Sequence, residues 1–133
     1  MNKILVTGSN GQLGKTFKYI SEEFPKYNFH FLGLPEFDLT DKNELNEYFT
    51  KTPVNFIINT AAYTEVDKAE EEPEEAKISN INIVKNLCEL SYKYTFKLIH
   101  ISSDYVFDGT ATRPYKPYDT INPKGVYAES KAA

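Results

Sequence analysis

Apolar positions along this chain alternate between a strand rhythm and a helix rhythm. Lys3 to Thr7 is a short β-branched, apolar run that meets "GSNGQLG" at once and predicts a strand. Leu13, Phe17, Ile20 and Phe24 then recur at steps of four, three and four, one face of an amphipathic helix that Pro25 closes. The pattern repeats with a strand over Asn28 to Leu34 and a helix over Thr40 to Thr52. Thr40 or Asp41 caps that helix, and Leu45, Tyr48 and Phe49 lie on its buried side. A third strand, Val54 to Thr60, is followed by a loop and a long helix from about Glu74 to Tyr94. The helix's apolar stripe reads Ala76, Ile81, Val84, Leu87, Cys88 and Ser91. Lys97 to Ser103 is a fourth strand. A loop with Pro114, Pro117 and Pro123 then leads into the start of a fourth helix.

Strands alternating with helices, several of them without polar alternation, indicate an α/β fold with a parallel sheet covered on both faces. A Rossmann-type, doubly wound domain with strand order 3-2-1-4 is expected. A chain that stops inside the helix after strand four leaves that strand's outer edge free, so a domain cut short there is expected, and the free edge offers a route to association, including a homodimer.

Composition narrows the function. With 133 residues the chain suits one domain with a real core, and 41% apolar and 26% charged residues are ordinary for a packed fold. The formal charge of -4 and the acidic run "AEEEPEEA" (Ala69 to Ala76) give no basic stripe, which argues against nucleic acid as a partner. The run reads as a solvated helix start, where negative charge suits the dipole, and not as a metal site. Cys88 is the only cysteine, which excludes an internal disulfide and reads as a buried structural thiol. No stretch approaches the ~20 apolar residues of a membrane span, and the amino terminus lacks a signal-peptide core. A reducing cytoplasm fits these features.

Chemistry concentrates in four places. Gly8, Gly11 and Gly14 stand three apart between a strand and a helix, where a backbone without Cβ atoms can turn tightly and seat a pyrophosphate on the helix start. At the end of strand two, Gly33 and Leu34 occupy the place of the usual acidic ribose ligand and Glu36 comes slightly late, so NAD and NADP both remain open. Asp38 either contacts the adenine or helps cap the next helix. The small residues of "NTAAYT" (Asn59 to Thr64) let a backbone pass close to a cofactor. Tyr127 and Lys131, at i and i+4, share one helix face; a cation beside a phenol lowers its pKa by ~1 to 3 units from about 10, which suits proton transfer to a carbonyl accepting hydride. Ser103, at the end of strand four, is the third member, donating to the developing alkoxide. His30 and His100 alternate with apolar neighbours and read as core or sheet-face residues.

Taken together, "TGSNGQLG", "NTAAYTEVDKAE", "SSDYVFDGT" and "YAESK" resemble the extended short-chain dehydrogenase/reductases, and among them the dTDP-4-dehydrorhamnose reductases. The stretch Asp104-Tyr105-Val106-Phe107 carries the distinction, because related epimerases usually have a serine-rich stretch ending in Val-Tyr-Gly there. The resemblance implies reduction of the 4-keto group of dTDP-4-dehydro-L-rhamnose by NADPH or NADH, giving dTDP-L-rhamnose for surface polysaccharide. It makes Tyr127 the proton donor, Lys131 its partner and a ribose contact, Ser103 the hydroxyl position and Asp104 a substrate contact. Gly11, Gln12 and Leu13 would line the pyrophosphate, and Asp38, Leu39, Ala62, Tyr63 and Thr64 the adenosine and nicotinamide halves.

Departures accompany the matches. Ala128 stands where glycine is frequent, and Thr16 where some members place an acidic residue for a magnesium-linked dimer, so no metal site is expected. Members of the family are considerably longer. The resemblance therefore implies that residues 1–133 are an N-terminal dinucleotide-binding domain without the C-terminal substrate domain, and that the isolated chain is nearly inactive. Two alternatives share the scaffold: a nucleotide-sugar epimerase or dehydratase, and a non-catalytic regulatory subunit.

Overall fold

The computed structural model describes all 133 residues, Met1 to Ala133. Four parallel strands form one sheet: β1 (Asn2–Thr7), β2 (Tyr27–Leu32), β3 (Phe56–Asn59) and β4 (Lys97–His100). The α/β reading holds, but the strand order is β2-β1-β3-β4 and not 3-2-1-4. β3 pairs with β1, from Ile4 beside Phe56 to Thr7 beside Asn59. The sequences of the strands explain the placement. "FIIN" is apolar on both faces, as an interior strand requires, whereas β2 carries Asn28 and His30 and lies at the edge.

The core lies on one sheet face. Leu5 and Ile57 are fully buried and pack against Leu45 and Phe49 of α2 (Lys42–Lys51) and, later in the chain than α3 (Val66–Glu71) and α4 (Pro73–Lys77), against Ile83, Leu87 and Leu90 of α5 (Ile83–Tyr94). Phe49 is the aromatic hub, its ring 5.0 Å from Phe96 and 5.7 Å from Tyr94. Asp41 caps α2, its carboxylate accepting from the amides of Asn43 (2.9 Å) and Glu44 (3.1 Å). Of the two capping candidates, Asp41 fills the role.

The helices depart from expectation in three ways. α1 (Gln12–Ile20) contributes nothing to this core; Gly14 is its one buried residue, and Leu13 and Phe24 of the predicted face are over 40% exposed. The segment expected as loop and single helix is α3 (Val66–Glu71), a break at Glu72, α4 (Pro73–Lys77), a π-helical turn over Ile78–Asn82, and then α5. Pro73 causes the break, because it disfavours helical geometry in the residue before it. The glutamate run thus spans two helices and is not one solvated start. The buried stripe is Ala76, Asn80, Ile83, Leu87 and Leu90. Ala76 and Leu87 of the expected stripe are buried, but polar Asn80 holds a core position, so an apolar template skips to Ile81 and Val84 between them; Cys88, expected inside, is exposed.

β4 ends at His100, short of the predicted Ser103, and its outer edge is unpaired. Ile99 (48% exposed) and Ile101 (39%) are open beside it. The chain closes with α6 (Val126–Ala132), which packs on α3 and α4 through Tyr127 against Ala69 and Ala76. No helix is long and apolar enough to cross a membrane.

Candidate active site

The sheet directs its strand ends toward one groove. β1 meets β2 on one side and β3 on the other, and a crevice opens outside the carboxyl ends of strands where connections diverge in this way. One part, about 230 Å³, runs from Gly8 and Gly11 past Gly33 and Asp38 to Thr60 and Ala62. A second, about 310 Å³, shares Gly11 and Thr60 to Ala62 with the first and continues to Ser102, Tyr127 and Lys131.

Backbone contact builds the wall between them. Gly8 has φ +68°, and a Cβ there would lie 2.6 Å from the Ala61 nitrogen; a Cβ on Gly14 would lie 2.2 Å from the Gly8 carbonyl oxygen. The two glycines thus let the β1 turn sit directly on the β3 turn and on the first turn of α1. Thr60 fastens the contact by donating its hydroxyl to the Thr7 carbonyl (2.6 Å). The first intrahelical bond of α1 is Lys15 N to Gly11 O (3.0 Å), and no side chain caps the helix. The amides of Gln12 to Gly14 are therefore left for an anion, with Gln12 and Leu13 lining the groove, so the residues present fit a dinucleotide pyrophosphate.

At the far end, Tyr127 is 9% exposed and its ring meets Tyr105 edge-on at 5.6 Å. Lys131 donates to the Ile101 carbonyl (2.7 Å), and burial holds its pKa below the usual lysine value. Behind them runs a polar chain. Thr7 Oγ1 donates to Asn59 Oδ1 (2.6 Å), which also accepts from the Ala61 amide (3.2 Å). Asn59 Nδ2 must then be the donor to His100 Nδ1 (3.0 Å), which places the imidazole proton on Nε2. Burial first, and the Lys131 charge second, lower the His100 pKa and favour that neutral form.

Most of the predicted residues converge, with instructive exceptions. Gly8, Gly11, Gln12, Leu13, Asp38, Leu39, Ala62, Thr64, Tyr127 and Lys131 line the groove; Gly14 is buried beneath it. Asp38 does not cap α2. Its carboxylate accepts from the Thr40 hydroxyl (2.7 Å) and amide (2.8 Å), bonds that lower its pKa. Tyr63 points elsewhere: its hydroxyl donates to Glu72 (2.8 Å), and burial together with that carboxylate pushes its pKa up to about 12. Ser102, not Ser103, lines the end that holds Tyr127 and Lys131; the Ser103 hydroxyl oxygen accepts from the Tyr105 amide (3.2 Å) and caps a 3₁₀ turn. Asp104 opens onto a neighbouring cleft beside Tyr105, Phe107 and Lys124. His30 is half-buried in β2, its Nε2 without a partner.

Sequence reasoning overlooked Asn80. Its amide donates to the Tyr63 carbonyl (3.1 Å) and to Ser130 Oγ (2.9 Å), and its oxygen accepts from the Tyr63 amide (2.9 Å), tying the β3 turn to α6. The available signal was a lone asparagine on the apolar stripe of a predicted helix.

Comparisons with known proteins agree with this fold. The dTDP-4-dehydrorhamnose reductase of Aggregatibacter actinomycetemcomitans is 38% identical over 132 residues, covering 99% of this chain and 45% of that protein. The crystal structure of a dTDP-4-dehydrorhamnose reductase of Clostridium acetobutylicum superposes with a TM-score of 0.91 at 36% identity, over 97% of this chain and 46% of the other. That of the Bacillus anthracis enzyme in complex with NADP gives 0.90 at 32%, over 98% and 47%. This chain thus spans a little under half the length of the proteins it matches. Matched from residue 1 to residue 133, it belongs to the RmlD substrate binding domain family.

Proposed function

We propose that this chain is the dinucleotide-binding domain of an NADPH- or NADH-dependent reductase acting on the 4-keto group of dTDP-4-dehydro-L-rhamnose, in the cytoplasm, and that the product is dTDP-L-rhamnose. The carrying observation is that Tyr127 and Lys131 share one groove with the glycine turn and the open start of α1. The likeness to named reductases supports the substrate.

When bound, the reduced nicotinamide supplies hydride to the carbonyl carbon. The Tyr127 hydroxyl gives its proton to the carbonyl oxygen, so the ketone becomes an alcohol and a tyrosinate remains. Lys131, held by the Ile101 carbonyl, stabilises that tyrosinate and reaches the ribose. A serine hydroxyl at the end of β4 donates to the oxygen as charge develops. Gly8, Gly11, Gln12 and Leu13 would hold the pyrophosphate, and Asp38, Leu39, Ala62 and Thr64 would flank the nucleoside halves. Asp104 meets the sugar.

The test is loss of reduced-nicotinamide absorbance with dTDP-4-dehydrorhamnose, in the full-length gene product, with each cofactor. Tyr127→Phe should lower kcat by about 10² to 10⁴, the worth of a general acid, while cofactor affinity stays near its original value. Ser102→Ala and Ser103→Ala in the same assay identify the donating hydroxyl. Turnover unaffected by Tyr127→Phe would defeat the assignment.

A further inference from the structure

The acidic run between Ala69 and Ala76 reaches the reacting helix, and we propose that Glu70 is a positioning residue that sets the start of α6 and with it the aim of Tyr127. The role in turnover rests on the reductase reading above. α6 has seven residues and no cap of its own: Gly125 precedes it at φ +84° without a side-chain bond. A helix that short is marginal by itself, so its place depends on what holds its ends.

Glu70 supplies the hold at the amino end. Its Oε1 accepts from the Val126 amide at 2.7 Å, across 56 residues of sequence. That oxygen also occupies the space a side chain at position 125 would take, since a Cβ on Gly125 would lie 2.7 Å from it. Fully buried Ala69, the residue before Glu70, packs with Tyr127, the residue after Val126, so the hydrogen bond and the apolar contact lock the same two turns together. Two carboxylates of the same run are engaged elsewhere: Glu72 with Tyr63 and Lys68, Glu74 with Lys77. At the carboxyl end, Asn80 holds Ser130 and the Ile101 carbonyl holds Lys131. Removing the Glu70 hold leaves that end fixed and frees the end bearing the phenol.

Glu70→Ala and Glu70→Gln in the full-length gene product separate this role from general stability. Glu70→Ala should lower kcat by about 10- to 100-fold, the scale expected for a misaimed reacting group, with the KM for reduced nicotinamide within about twofold because Lys131, the α6 residue assigned to the ribose, lies at the end that the Ile101 carbonyl keeps fixed. Glu70→Gln keeps an oxygen acceptor for the Val126 amide and should restore kcat to within about threefold of the parent. Hydrogen exchange over Val126 to Lys131 should quicken in Glu70→Ala and match the parent in Glu70→Gln. Parental kcat in Glu70→Ala, or Glu70→Gln as impaired as Glu70→Ala, overturns the proposal. Absence of turnover in the parent defeats the reductase reading alone; the exchange rates still decide for Glu70, and unchanged exchange in Glu70→Ala sinks it.

Discussion

A single methyl group added at Gly8 would meet the Ala61 main chain at 2.6 Å, on a residue already at positive φ. Gly8→Ala is therefore expected to cost at least about 2 kcal/mol from strain and displacement, read by urea denaturation, and to abolish reduced-nicotinamide binding, read by fluorescence titration. At this scale the sequence was most readable where chemistry demands a residue type. The three glycines, Tyr127 and Lys131 announce themselves by spacing, and the groove gathers them. Asn80 and Asn59 did not, because a buried amide that bonds main chain on a neighbouring element has no local periodicity. The end of β4 was less readable: a strand expected to run to Ser103 ends at His100, Ser102 lines the groove, and Ser103 caps the following 3₁₀ turn.

Individual elements depend on a few polar anchors. Asp41→Ala removes the acceptor for two α2 amides and should destabilise the fold by about 1 kcal/mol in thermal or urea unfolding. The segment between β4 and α6 is organised by Asp108, which accepts from the Thr110 amide (3.0 Å) and hydroxyl (2.7 Å), Tyr115 Oη (2.9 Å) and Asn122 Nδ2 (2.9 Å). The Thr110 hydroxyl, then Asn122, with the Thr110 amide and Tyr115, hold this carboxyl far below the usual range. A depressed folded pKa contributes stability above the unfolded value of about 3.9 and loses it as pH falls toward the folded value. The stability difference between the parent and Asp108→Asn should accordingly be flat from pH 7 to about pH 5 and shrink in stronger acid, as measured by urea unfolding across pH. The four strands and most of the helices were legible from periodicity, but α3 lies where a loop was expected. The break at Glu72 could have been read from Pro73, whereas the phase of α5 was hidden by one polar residue in an apolar stripe.

The molecule as a whole is packed unevenly. One sheet face is buried under α2 and α5, while Ile99 and Ile101 remain open beside the unpaired edge of β4. A polypeptide of residues 1–133 should therefore self-associate as its concentration rises, and Ile99→Lys should shift that association to higher concentration in light scattering. Strand order was the global property that a general fold rule misjudged, although the apolar continuity of "FIIN" against the mixed character of β2 held the information. In the cofactor groove, main chain rests on main chain at Gly8, Gly14 and Ala61, with Thr60 pinning the joint. Little rotamer freedom exists there to be frozen by an incoming dinucleotide. Its binding should carry a small conformational entropy penalty, and its affinity should respond weakly to side-chain changes around the rim and steeply to any atom added to the floor.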